Sequence, residues 1–107
     1  MFNTRVRIPE TARAGEVVTI RTMIIHPMDN GLSVMTNGEL IPLDIITDFT
    51  CHYLGEEVFR VALEPSFSAN PAITFPLRIT RSGPVRLEWT HMHTDKTVHE
   101  AMITVAG

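Results

Sequence analysis

Apolar and polar residues alternate along most of this chain with a period of two. In 85–91, Val85, Leu87 and Trp89 alternate with Arg86, Glu88 and Thr90, the signature of a strand with one wet face. The same reading gives strands at 17–26 (core face Val18, Ile20, Ile24), 43–54 (Ile45, Phe49, Cys51, Tyr53) and 57–63 (Phe59, Val61, Leu63). Two more fall at 72–80 (Ile73, Phe75, Leu77, Ile79) and 98–106 (Ala101, Ile103, Val105). Gly and Pro punctuate the gaps, and no window carries a long apolar repeat of helical period. About seven short strands at regular turn spacings predict a single all-β domain over 1–107, an antiparallel sandwich of immunoglobulin-like or fibronectin-III-like type. Its expected core is Ile20, Phe59, Phe75, Leu77, Leu87, Trp89 and Ile103. Pro76 places its strand at a sheet edge or a bulge.

Composition agrees with one folded domain. The 107 residues are 44% hydrophobic and 20% charged, enough for a single core. The net charge of −3 and nine scattered Lys and Arg give no sign of nucleic-acid or anionic-lipid binding. No apolar run approaches a membrane span. The opening "MFNTRVRIPE" has no apolar h-region, so no signal peptide is read there.

Three of the five histidines lie in "EWTHMHTDKTVHE" (88–100). A hairpin pairing Trp89 with Ala101 and Leu87 with Ile103 sets His91 opposite His99, with His93 and Asp95 near the tip. His91, His93 and His99 are therefore the candidate ligands of a metalloprotein alternative. A polar hairpin tip that tolerates histidine is the favoured reading, and no metal or other cofactor is expected. His26 and His52 show no partner in the sequence. Cys51, the single cysteine, falls on an apolar face and reads as a small core residue; His52 beside it points the other way. No motif assembles a nucleophile, base and oxyanion site, so no enzyme is predicted.

The more informative feature is surplus apolar surface. Strand 17–26 carries Met23 and Ile25 on its second face, and the last hairpin offers Met92, Val98 and Met102. A partner would cover them, or a long loop such as 27–42. The candidate interface is Met23, Ile25 and the turn His26-Pro27-Met28, joined by Asn70-Pro71. Each proline presets an extended residue before it, His26 and Asn70.

Five ordered pieces then identify a resemblance: A-G-E at 14–16, H-P-M-D-N-G at 26–31, G-E-L-I-P at 38–42, G-E-E-V at 55–58 and S-A-N-P at 68–71. Together they resemble the SoxZ family, the Z subunit of the sulfur carrier complex of thiosulfate oxidation, from about Ala14 to Val105. Two features differ: 31–38 lacks the basic residues of many relatives, and "HMHTDK" stands where they have an acidic turn. The resemblance implies an immunoglobulin-like sandwich and a heterodimer with the Y subunit. In that partner a C-terminal cysteine arm carries the sulfur intermediates, and other Sox enzymes visit it in turn. It also implies a periplasmic complex exported by the Y subunit's signal. This chain, ending "MITVAG" without a cysteine, resembles the scaffold half. A stand-alone sandwich module binding another protein is the alternative.

Overall fold

In a computed structural model that describes residues 3–32, 34–64 and 67–106, the described residues form eight strands and no helix. They are β1 (Thr4–Arg7), β2 (Thr11–Ala12), β3 (Val17–Ile24), β4 (Ile46–Tyr53), β5 (Glu56–Ala62), β6 (Ala72–Arg78), β7 (Gly83–His91) and β8 (Thr97–Val105). Two sheets result, one ordered β1-β3-β6 and the other β2-β8-β7-β4-β5. Six elements match the sequence reading within a few residues. The short β1 and β2 raise the count to eight, and β2 runs parallel to β8 in an otherwise antiparallel fold. Two-residue and four-residue strands leave too little alternation to be read from sequence.

Alternation builds the core. Val18, Ile20, Thr22 and Ile24 of β3 and Val85, Leu87 and Trp89 of β7 turn into the sandwich, and all are buried. Six of the seven expected core residues are buried. Phe59 is the exception: it lies on the edge strand β5, half-buried, with its ring stacked on Phe75 at 4.3 Å. Pro76 does sit on an edge strand, since β6 borders its sheet. In β4 the register shifts between Ile46 and Asp48. Such an irregularity allows the neighbours Ile45 and Ile46 to be buried together.

Two corners are fixed by specific chemistry. The β4–β5 hairpin turns on Leu54 and Gly55, both at positive φ (55° and 84°), as a two-residue turn matched to strand twist requires. The Tyr53 hydroxyl donates to the Arg81 carbonyl and accepts from the Thr80 and Arg81 N–H groups at 3.2 and 3.1 Å. It thereby ties the end of β4 to the β6–β7 crossover.

The last hairpin differs from expectation. Trp89 pairs with Thr97 and Leu87 with His99, not with Ala101 and Ile103. A shift by an even number of residues leaves every side chain on its predicted face, so the pattern alone cannot distinguish the two registers.

The molecule is drawn out, with extents of 61 × 20 × 19 Å. Its radius of gyration is 16.3 Å, where a compact domain of this length has about 13 Å. Its accessible surface is 6742 Å², against about 6000 Å² for a compact monomer of this mass. The β3–β4 connection, spanning 25–45, carries two isolated bridges among its described residues, Asp29–Asp44 and Val34–Leu40. No helix among the described residues is long and apolar enough to cross a membrane.

Candidate functional site

The inside–outside alternation of β3 runs on past its end: Ile24 in, Ile25 out, His26 in, Pro27 out, Met28 in. This divides the expected interface. Ile25 is exposed and Met23 half-buried on the outer face, and Pro27 and Asn70 are also exposed. His26, Met28 and Pro71 are buried, so they support that surface from beneath and do not form it.

The buried members make a clasp. His26 N–H donates to Asn70 Oδ1 at 2.9 Å, and Asn70 N–H donates to the His26 carbonyl at 2.7 Å. Asn70 is not extended, as the following proline suggested. Its φ is +54°, a conformation asparagine tolerates and the paired bonds to His26 hold. Met28, also at positive φ (51°), donates its N–H to His26 Nδ1 at 2.9 Å. Its thioether accepts the Ile46 N–H at 3.3 Å. The clasp thus fastens β3, the 68–71 turn and the start of β4 to one another. Beyond it, Asp29 and Asp44 exchange backbone hydrogen bonds and launch the 30–43 part of the β3–β4 connection, the arm of this chain.

The arm does not cover the apolar positions named above: Ile25, Met92, Val98 and Met102 all remain exposed. It adds apolar surface of its own, with Leu32 at 79% and Leu40 at 62% exposure, and Val34 and Met35 beside them. Its tip closes through Asn37 Oδ1 to Glu39 N–H and through the Val34–Leu40 bridge. The Asn37-Gly38 pair between apolar residues was the available sequence signal for this small hairpin. Connections of this length are uncommon in compact domains, and exposed large apolar residues are a feature of interaction surfaces.

The histidines separate. His91 is buried on the inner face of β7 and contacts Thr97 Oγ1 at 2.7 Å. Its ring lies 5.6 Å from that of His26, a pairing with no sequence signal because the two are far apart along the chain. His93 is exposed and donates Nε2–H to the Leu43 carbonyl at 2.9 Å, and His99 faces Leu87 across the hairpin. Among the described residues no three His, Cys, Asp or Glu side chains gather as a metal-holding group. Burial pushes both His26 and His91 below the ordinary histidine range; Asp44 and Asp29 oppose this at His26, and His26 reinforces it at His91.

Cys51 is fully buried, and burial pushes its thiol up to about 11. At neutral pH such a group is a thiol and a poor nucleophile. The native protein is expected to resist iodoacetamide at pH 8 and to be alkylated at Cys51 once unfolded in urea. Rapid native labelling, read by mass spectrometry, would contradict the structural role.

His52, on the outer face of the larger sheet, also has a partner: its Nδ1 lies 3.3 Å from Glu88 Oε2. Glu88 further gathers Arg86 and Lys96, each at 3.4 Å. The Arg86 and Lys96 heads are about half exposed, and ion pairs made by such solvated cations contribute little.

The family model described as sulphur oxidation protein SoxZ matches residues 6–102. No curated protein matches the sequence. Among solved structures, a superoxide reductase (neelaredoxin) from Ignicoccus hospitalis is similar with a TM-score of 0.71 and 20% identity, over 96% of this chain and 80% of that one. A point variant of that reductase aligns with a TM-score of 0.73 at the same identity, over 96% and 79%. The sulfur carrier protein SoxY from Chlorobium limicola f thiosulfatophilum aligns with a TM-score of 0.68 and 12% identity, over 97% of this chain and 79% of that one. At these identities the structural likenesses establish the sandwich fold and nothing finer.

Proposed function

The chain belongs to the SoxZ family of sulphur oxidation proteins, and from that premise we propose that it is the non-catalytic scaffold subunit of a sulfur carrier complex. It binds the Y subunit, whose C-terminal cysteine arm carries the covalent sulfur intermediates of thiosulfate oxidation, and it meets the other Sox enzymes only through that complex. The complex works in the periplasm, and this chain travels there with the Y subunit. The observation that carries the reading is the family match over nearly the whole chain. Three features of the chain support it. Its one thiol is buried, which suits a subunit that does not itself carry the adduct. Its surface exceeds that of a compact monomer, and its apolar residues cluster on the arm and at Ile25, where a partner would exclude water.

The direct test is co-expression with a Y subunit, a secreted protein that ends in a glycine-flanked cysteine. The expected result is co-elution of the two as one heterodimer on size exclusion; separate elution at all working concentrations would sink the reading and favour a stand-alone sandwich module. Within the complex, Ile25→Asp places a charge at the proposed contact, where interface cores tolerate it poorly. The folded variant is expected to retain less of the Y subunit in pull-down, by about ten-fold or more. Undiminished retention would remove Ile25 from the interface.

A further inference from the structure

Along the sequence the basic residues look scattered, but the strand register collects four of them. Alternation turns Arg5 and Arg7 of β1 outward, Arg21 of β3 outward and Arg78 of β6 outward. Pairing then sets Arg5 opposite Met23, Arg7 opposite Arg21, Arg21 opposite Thr74 and Val17 opposite Arg78. The remaining outward positions of these strands are Thr19, Ala72 and Pro76. This sheet face therefore carries four arginines and no carboxylate, on a chain whose net charge is −3. A shallow furrow of about 320 Å³ runs between Arg5, Arg7 and Arg21, with Met23 in its wall.

The arrangement works against the lone chain. Side chains directly opposite across an antiparallel pair have Cβ atoms about 4.5–5.5 Å apart, and like charges there are destabilising. Arg7 and Arg21 are such a pair. Among the described residues, every arginine–carboxylate ion pair is made by Arg60 or Arg86 on the other sheet. Arg78 bonds only the Gly15 carbonyl, at 2.9 Å. No described carboxylate of the chain offsets the Arg7–Arg21 repulsion, whereas a partner's carboxylates would do so in the bidentate geometry guanidinium groups favour.

The neighbours of the arginines indicate the class of partner. Met and Arg are enriched at protein interfaces, and Met23 lies between Arg5 and the exposed Ile25. The face has no aromatic side chain on which a base could stack. We propose that the outer face of the three-stranded sheet docks a carboxylate-rich surface of the Y subunit through Arg5, Arg7 and Arg21, with Met23 as the apolar centre. This rests on the subunit reading above and adds to it the location and chemistry of the contact. Opposite charge at this face steers the encounter, so its main signature is in the association rate and its salt dependence.

The test measures association of the purified chain with the Y subunit at about 50 and about 300 mM salt, between which the screening length falls by more than half. The wild-type rate is expected to fall steeply with salt. Arg7→Glu/Arg21→Glu is expected to associate about ten-fold more slowly at low salt, with a flattened salt dependence. Arg13→Glu/Arg81→Glu, which makes the same change in net charge away from the face, is expected to keep the steep dependence. A milder variant separates docking from folding. Arg7→Gln removes the repulsion, so the lone chain should melt about 1–5 °C higher while still associating more slowly. An Arg7→Glu/Arg21→Glu chain that binds at the wild-type rate would overturn the docking face and leave the subunit reading standing. A control variant that slows equally would reduce the effect to net charge and overturn it too. Failure of the wild-type chain to bind the Y subunit would remove the subunit reading together with this face. If the arginine variant instead loses binding to a DNA duplex while its association with the Y subunit is unchanged, the face belongs to nucleic acid and the proposal fails.

Discussion

Trp89→Ala is expected to cost the fold about 3–5 kcal/mol. Small domains have total stabilities of only about 5–15 kcal/mol, so the variant should lose a large share of its stability. Trp89 is fully buried on the inner face of β7, near its C-terminal end, with its ring 5.2 Å from that of Phe49. Phe49 in turn contacts Phe59 and Phe75 edge-on at 6.3 and 5.8 Å. One aromatic cluster therefore spans both sheets, and removing its largest member opens a cavity that rigid strands on either side cannot close. Trp89→Phe separates packing from size. Among the described residues the indole Nε1 makes no hydrogen bond, so phenylalanine sacrifices no polar contact, and its cost should be well below that of alanine. Urea unfolding followed by circular dichroism measures both, because the substitution removes the fluorescent reporter. A loss below about 1 kcal/mol for Trp89→Ala would mean that the cluster does not bind the sheets together.

The fold was legible because a sandwich states itself in period two. Val85, Leu87 and Trp89 name their face whatever they pair with, and so do Ile73, Phe75, Leu77 and Ile79. Pairing was less legible. The β7–β8 register is offset by an even number of residues from the one expected, and only the length of the loop at 92–96 distinguishes the two. That offset undid the proposed meeting of His91 and His99 while leaving the predicted core untouched. The same limit hid the groupings that matter for function. His26 meets His91, and Arg7 meets Arg21, only once strands distant in sequence are placed side by side. Family resemblance works by another route: ordered motifs such as H-P-M-D-N-G and S-A-N-P identify relatives without revealing what their residues do. The structure gives those two motifs a shared task, because His26 and Asn70 clasp each other through a reciprocal pair of hydrogen bonds. Turn residues that looked like surface are therefore partly the fastening beneath it.

That clasp should make the protein acid-sensitive in a narrow range. His26 Nδ1 accepts the Met28 N–H, so the neutral ring carries its proton on Nε2, and a second proton must go to Nδ1 and break the bond. His91, 5.6 Å away, would then face a positive ring. Burial holds both groups below the ordinary value of 6.5, whereas the unfolded chain titrates near that value. The unfolded state therefore binds more protons as the pH falls past 6.5, and stability must fall with it. The contribution is complete above about pH 7 and is lost progressively below about 6.5, down to the depressed folded-state values. With two protons involved, the limiting slope is about 2.7 kcal/mol per pH unit. Ordinary carboxylates titrate near pH 4, below this window, so an effect between about pH 6.5 and 5 belongs to histidine. Urea unfolding of the wild type at pH 7.5, 6.5 and 5.5 is expected to show the midpoint falling over the two acidic steps. His91→Gln keeps a polar group near Thr97 but cannot charge, and should reduce the steepness to that of a single proton. A wild-type midpoint unchanged from pH 7.5 to 5.5 would show that the two rings accept protons in the folded state without cost. The clasp would then not be the fixed support on which the Met23 and Ile25 surface rests.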